Sequence, residues 1–541
     1  MSDGAQATAA RAAGVTLPRA LADRWFGAGV AAVAALVLAF LLRQLMAWPP
    51  HEDETLALFV GRHDLPDLFR IVLEERGGAP LHFLLAWVVV RLDAGLEGLR
   101  LVSALLAVGA LPLVALLGRR LAGELPALVA TAIVAPSWVL LFHGVYARMY
   151  SLFLVTSALS YLVLLAALDR GDRRGWALWV LAILATIAAH PYGALVLASQ
   201  GAFVVVARRD RLRQGLVAAG LVLVAGIPFW LTNLVLASRF DVGVGGGGAK
   251  LGGPWPVAKY LWRVLGDVTA GWWPVTLAAL ALLVVGAMRL RRETLLLCAC
   301  VVGVPALAFV AARLGSSTSP ETRHLIFALP FVALALAVGL LRLRRVAPVA
   351  LAALAVAQVA WAWQKTPPLF EGEPEVRREA RAEASAFLAA TSRPDDLLFG
   401  YEPLYLGAWE SDRDFPLTVL PRADAGLALH VLERQPKPLG RGVWILDASK
   451  PNNIVPSLSI RWRSPRPAGA FDVHRFGPFL VIRTARPTVT PERYLERAGQ
   501  ALLVGKALWI GDADVNLLTV ERAARELRGY GAPRSLSTSS R

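Results

Sequence analysis

Cysteine, methionine and charge are all scarce in this chain: of 541 residues, two are cysteine, four are methionine and 18% are charged. Two cysteines exclude a disulfide framework. Cys298 and Cys300 stand two positions apart in an apolar run, so on a helix they face different sides and read as packing residues rather than as a metal pair. The shortage of charge excludes a water-soluble globule, whose surface needs more polar cover. Regular alternation of polar and apolar residues is also missing, which argues against a membrane barrel. What is abundant is apolar side chain, 56% of the sequence, with a mean hydropathy of +0.53. A backbone in hydrocarbon must bond its own amides, so long apolar runs imply helices. The net charge of +16 does not point to nucleic acid, because the arginines sit in short clusters between apolar runs, where they orient a membrane protein.

The expected architecture is an all-α polytopic membrane domain with a small α/β domain at its C-terminal end. Residues 1–24, with Arg11, Arg19 and Arg24, form a basic tail, and the run that follows is too long for a signal-peptide core, so it should remain as an anchor. Runs near the bilayer-spanning length of about 20 residues occur at 26–47, 99–118, 124–143, 148–168, 175–190, 192–207, 215–236, 273–288, 294–312, 325–341 and 346–363, eleven candidates within a membrane domain of 25–364. Residues 80–90 form a further short apolar stretch. If it does not span, the clusters Arg119/Arg120, Arg170–Arg174, Arg208–Arg213, Arg289–Arg292 and Arg342–Arg345 all fall on the side of the basic N-terminus, as the positive-inside rule requires. It is therefore read as a juxtamembrane or re-entrant helix. This predicts a multi-pass plasma-membrane protein with a cytoplasmic N-terminus and an extracytoplasmic domain over 365–541. Short strands are expected at 397–401, 417–420, 443–446 and 479–482, and helices near 491–504 and 517–528. The glycine-rich segment 243–253 contains a GxGxxG spacing but no flanking strand or helix, so it reads as a flexible loop.

On this topology the residues with chemical potential gather at the outer ends of the helices. The external loop 48–98 opens with His51-Glu52-Asp53-Glu54. Carboxylates at a membrane boundary are costly unless solvated or used, and one of them could act as a general base toward a hydroxyl. Asp53 is the preferred base; Glu54, pointing about 100° away on a helix, would hold acceptor, cation or a neighbouring arginine. The alternative is that Asp53 merely caps the following helix. Arg148 and Arg323, at the starts of spans, could fork a phosphate or simply snorkel. His190 ends an apolar run before Pro191 and Tyr192, and His82 and His143 are equally ambiguous. His51, Asp53 and Glu54 could contribute to a divalent-cation site, but no HxxxH or HExxH spacing supports zinc, and no cofactor is otherwise indicated.

Taken together, Glu52-Asp53-Glu54, Gly78-Ala79-Pro80-Leu81-His82, Leu99-Arg100-Leu101-Val102-Ser103-Ala104, Ala147-Arg148-Met149-Tyr150, Ala189-His190-Pro191-Tyr192-Gly193 and Arg323-His324 before Ala328-Leu329-Pro330 resemble the GT-C-type glycosyltransferases. The group in question contains protein O-mannosyltransferases, the aminoarabinose transferases of lipid A and their bacterial relatives. The resemblance covers the first two-thirds of the chain. It implies a membrane glycosyltransferase with a polyprenyl-phosphate sugar as donor, a protein, lipid or cell-wall glycan as acceptor, and inversion at the anomeric centre. Asp53 would be the base with Glu54 beside it; Glu52, His82, Arg148, His190, Tyr192, Arg323 and His324 would contact substrate. Ala79 and His324 depart from the proline and tyrosine common in relatives. The competing expectation, a lipid or glycan transporter, would place ionisable groups near the bilayer midplane, where these spans have almost none.

Overall fold

A computed structural model of the chain describes residues 19–241, 254–315, 322–399, 403–406, 418–420, 432–447 and 469–508. The first helix, α1 (Arg19–Gln44), leads into a cluster of shorter elements: α2 (Glu52–Arg62), α3 (Leu65–Arg70), a π-helical turn over Ile71–Arg76 and α4 (Pro80–Arg91). Then come α5 (Gly95–Ala122), α6 (Glu124–Val134), α7 (Trp138–Val145), α8 (Tyr150–Arg170), α9 (Arg173–Ala189), α10 (Gly193–Ala207), α11 (Leu212–Ala225) and α12 (Ile227–Asp241). The remaining membrane-domain helices are α13 (Pro254–Val268), α14 (Trp273–Ala287), α15 (Arg292–Gly315), α16 (Leu329–Leu340) and α17 (Ala347–Lys365).

All eleven apolar runs are helical, yet length and hydropathy together qualify only four helical segments as spans, or seven when three bent pairs are counted. The bends separate α6 from α7 (59°), α11 from α12 (63°) and α13 from α14 (88°). One of the four, Thr322–Lys365, is 44 residues long. Straight, it would measure about 66 Å, twice the hydrocarbon thickness. Instead it breaks at Arg344, whose φ is +52°, and its ends meet: Thr322 Oγ1 donates to Asp267 Oδ2 at 2.6 Å and Lys365 Nζ bonds the same carboxylate. The segment is therefore two antiparallel passes, matching the two separate candidate runs 325–341 and 346–363.

The connector left between the apolar runs 215–236 and 273–288 is not wholly loop. It contains α13, which stands nearly perpendicular to α14 and is apolar on one side, and residues 242–253, the whole glycine-rich stretch among them, lie outside the described residues. Close helix crossings occur where side chains vanish. A Cβ on Gly286 would sit 1.8 Å from the Ala335 carbonyl oxygen, and one on Gly339 would sit 1.9 Å from that of Leu282, so α14 and α16 meet backbone to backbone.

After α18 (Pro367–Glu371) and α19 (Glu375–Thr391), five strands form one sheet: β1 (Leu397–Phe399), β2 (Thr418–Leu420), β3 (Gly442–Asp447), β4 (Phe471–Phe476) and β5 (Phe479–Thr484). Their order is β2-β1-β3-β5-β4, parallel on the first side and antiparallel through β5, with Val443 opposite Arg483 and Phe476 opposite Phe479 across a two-residue turn. Helix α20 (Pro491–Leu508) packs on one face through Tyr494, Ala498 and Ala501. The expected α/β character is thus present; β4 and α19 add to the predicted elements, and the helix predicted at 517–528 lies outside the described residues. The sheet does not stand apart. Leu398, Tyr405, Val443 and Phe479 share one apolar cluster with Leu56 and Val60 of α2 and Phe83 of α4.

Candidate active site at one end of the bundle

Helix α2 begins with a reciprocal cap. His51 Nδ1 accepts from the Asp53 amide at 3.1 Å, and Glu54 Oε2 accepts from the His51 amide at 3.0 Å, so two orphan donors of the first turn are satisfied. The N-cap is therefore His51, not Asp53, and Asp53 is left with its carboxylate available for tertiary contacts.

Glu54 turns the opposite way and is fully buried. Arg100 of α5, equally buried, grips it through Nε (2.8 Å) and Nη2 (2.7 Å). The other three guanidinium hydrogens go to the carbonyls of Leu45 (3.1 Å), Trp48 (2.7 Å) and Pro49 (3.2 Å), so all five donors of Arg100 are used. Glu54 Oε1 also accepts from the Ala147 amide at 3.0 Å. A buried pair with every valence occupied is a frame, and it ties the end of α1, α2, α5 and the α7–α8 turn together. Of the three uses expected for Glu54, holding a neighbouring arginine is the one observed; its two oxygens are engaged by Arg100 and the amides of His51 and Ala147.

That turn supplies the partners of Asp53. Helix α7 ends at Val145 with Tyr146 extended, and the Arg148 amide donates to the Tyr146 carbonyl at 2.7 Å, a three-residue turn that presents both side chains to one side. The Tyr146 hydroxyl donates to Asp53 Oδ2 at 2.8 Å and also lies 2.8 Å from His51 Nδ1. Arg148 Nη1 is 3.0 Å and His51 Nδ1 3.4 Å from the same Oδ2. All of these converge on one oxygen; among the described residues Oδ1 accepts no hydrogen bond. The Asp53 side chain retains 29% exposure. Burial pushes its pKa up, but Arg148, His51, the Tyr146 hydrogen bond and Arg323 together outweigh it and hold the carboxyl well below the usual range.

Around this carboxylate the structure gathers most of the remaining candidates. Arg148 and Arg323 lie over the Tyr150 ring, 5.5 and 5.6 Å from its centroid. His190 stacks on Tyr192 (5.4 Å, 22°) and on Phe153 (4.6 Å, 21°), and His324 is 4.9 Å from Tyr192 and 5.7 Å from His190. His190 is buried, whereas Tyr192, Arg323 and His324 are half-buried at the rim. His143 is buried between Phe142 and Tyr150, with neither ring nitrogen paired. A narrow crevice is lined by Arg148 and His82 together with Leu85, Leu99, Val102, Ser103, Leu106, Ala147 and Leu152. Glu52 is half-buried on the first turn of α2. Among the described residues no group of three or more His, Cys, Asp or Glu could hold a metal ion.

The arginine clusters mark the opposite end. Arg120 and Arg208 both reach Asp169, and Arg208 also reaches Glu293, so connectors α5–α6, α8–α9, α10–α11 and α14–α15 share one face away from Asp53. The residues missed as site members are Tyr146 and Arg100. Arg100 was visible as a lone charge within an apolar run, the usual signature of a buried ion pair; nothing in the spacing distinguishes Tyr146 from a boundary aromatic.

No protein-family model matches the chain, and no curated protein does. Solved structures do. ArnT from Cupriavidus metallidurans bound to undecaprenyl phosphate superposes with a TM-score of 0.54 at 15% identity, covering 84% of this chain and 97% of that one. The apo state of the same protein gives 0.50 at 14%, with the same coverage. The chain therefore has the fold of ArnT, the GT-C-type fold that the motif resemblance leads one to expect. Identity this low establishes architecture, not reaction.

Proposed function

We propose that the chain is a membrane glycosyltransferase that moves a sugar from a polyprenyl-phosphate donor to a hydroxyl of a protein, lipid or cell-wall glycan, at the extracytoplasmic face of the plasma membrane. The observation that carries this is the juxtaposition of Asp53, whose Oδ1 accepts no hydrogen bond among the described residues, and Arg148, which lines an apolar crevice. A lipid monophosphate has the matching form: a charged head for a guanidinium fork and an apolar tail for the leucine-lined wall. The fold is also that of a protein whose structure holds undecaprenyl phosphate.

In this reading the lipid phosphate rests against Arg148 and Arg323, and the sugar lies between them and the rim formed by Tyr192 and His324. Asp53 Oδ1 takes the proton from the acceptor hydroxyl. The acceptor oxygen attacks the anomeric carbon from the side opposite the phosphate, the bond from that carbon to the phosphate oxygen breaks, and its electron pair leaves on the lipid monophosphate, so configuration inverts. Glu54 and Arg100 hold the first turn of α2 in place and take no proton. Mass spectrometry of membrane glycans and glycoproteins in a strain lacking the gene tests the proposal. Loss of one defined sugar is expected; an unchanged glycan complement contradicts it.

A further inference from the structure

A general base works best with a pKa near the working pH, yet one oxygen of Asp53 in this structure already faces a hydroxyl donor and a guanidinium. Tyr146, Arg148 and His51 all approach its Oδ2, and Arg323 adds a more distant positive charge. Glu54 and His82 also lie nearby; Glu54 is paired with Arg100, and His82 lines the crevice together with Arg148. The same Arg148 that quenches Asp53 is the cation lining the crevice, and its guanidinium otherwise lies over the rings of Tyr146 and Tyr150. One guanidinium thus faces two anions, one of them resident and the other arriving with substrate.

We infer that Arg148 is a latch shared between Asp53 and the lipid phosphate, so that donor binding releases the base and the donor is taken up before the acceptor. Given the function proposed above, the latch works by an exchange of partners. When a phosphodiester anion draws the Arg148 fork, Asp53 loses its strongest cationic neighbour and gains a negative one. Its affinity for a proton rises, and the acceptor hydroxyl meets an effective base only once the donor is seated. Tyr146 is the positioning residue of the exchange. Its hydroxyl has one proton and two acceptors at equal distance, Asp53 Oδ2 and His51 Nδ1, so it keeps the carboxylate oriented with Oδ1 outward while Arg148 changes partner.

Linkage makes the latch measurable without knowing the sugar, because competition between two anions for one cation is reciprocal. Undecaprenyl phosphate is titrated into the full-length chain in detergent or nanodiscs, and its affinity is compared for wild type, Asp53→Asn, Arg148→Gln and the double variant. Removing the resident carboxylate should tighten binding about tenfold when Arg148 is present, at least about fivefold more than the same substitution achieves in the Arg148→Gln chain. Equal tightening in both backgrounds would mean simple repulsion between Asp53 and the phosphate and would overturn the latch. Unchanged or weaker binding by Asp53→Asn would overturn it as well. If the wild-type chain binds no undecaprenyl phosphate at all, the lipid-phosphate reading itself fails, an outcome distinct from a failed latch.

Discussion

Asp53, Tyr146 and Arg148 meet within 3 Å contacts, but they arrive from parts of the chain almost a hundred residues apart. Their geometry predicts a specific titration. A carboxyl held below its ordinary range stays ionised until the medium is strongly acid, so activity that needs Asp53 ionised before the donor binds should persist as pH falls through 4 and be lost only below that. Tyr146→Phe removes one of the groups holding the charged form. Its acidic limb in kcat/KM should therefore move upward, toward the ordinary carboxylate value, and a profile identical to wild type would show that the hydroxyl does not tune Asp53. The neighbouring pair predicts something different. Glu54→Gln leaves the Arg100 guanidinium buried without its counter-charge, which costs about 3–5 kcal/mol. A clear drop in the melting temperature of the detergent-solubilised protein checks this, whereas Tyr146→Phe should scarcely move it.

Elements were more legible than their partners. The eleven apolar runs, read by length and hydropathy, all became helices because hydrocarbon allows the backbone little else. Hydropathy carried no trace of the bends, although Pro136, Gly226 with Pro228, and Gly271 with Pro274 stand at or beside the three breaks. Helix α13 was hidden for the same reason: its mixed polarity, with Lys259 and Arg263 among aromatics, reads as loop beside purely apolar neighbours. The role of Asp53 stayed undecided in the sequence between base and helix cap, and His51 settled the capping half by occupying the N-cap itself. Glycine marks the crossing that most constrains element packing. Gly339→Val would push a side chain into the Leu282 carbonyl and should destabilise the α14–α16 contact by about 1–3 kcal/mol. Lower yield and earlier thermal aggregation of folded protein in detergent would register it; Gly303→Val, where a Cβ meets nothing within 4 Å, is the control.

At the scale of the whole molecule the bundle has two chemically different ends. One carries Asp53, Arg148, Arg323, the histidines and the sheet domain; the other carries the arginine-rich connectors and their acidic partners. If the positive-inside rule sets the orientation, a cysteine placed at exposed Asp64 in a chain with Cys298 and Cys300 changed to serine should react with a membrane-impermeant maleimide added outside cells. One placed at exposed Arg173 should react only after the membrane is opened. The reverse pattern would put the carboxylate in the cytosol and remove the basis for an extracytoplasmic reaction.

The most direct measurement returns to Asp53 Oδ1, the carboxylate oxygen that accepts no hydrogen bond among the described residues. In a strain lacking the gene, the glycan lost from its membranes is restored with either the wild-type chain or Asp53→Asn, matched for membrane abundance. Wild type should restore the missing sugar, and the asparagine chain, properly inserted and folded, should restore at most about one part in a hundred of it. Full restoration by Asp53→Asn would contradict the account at its centre.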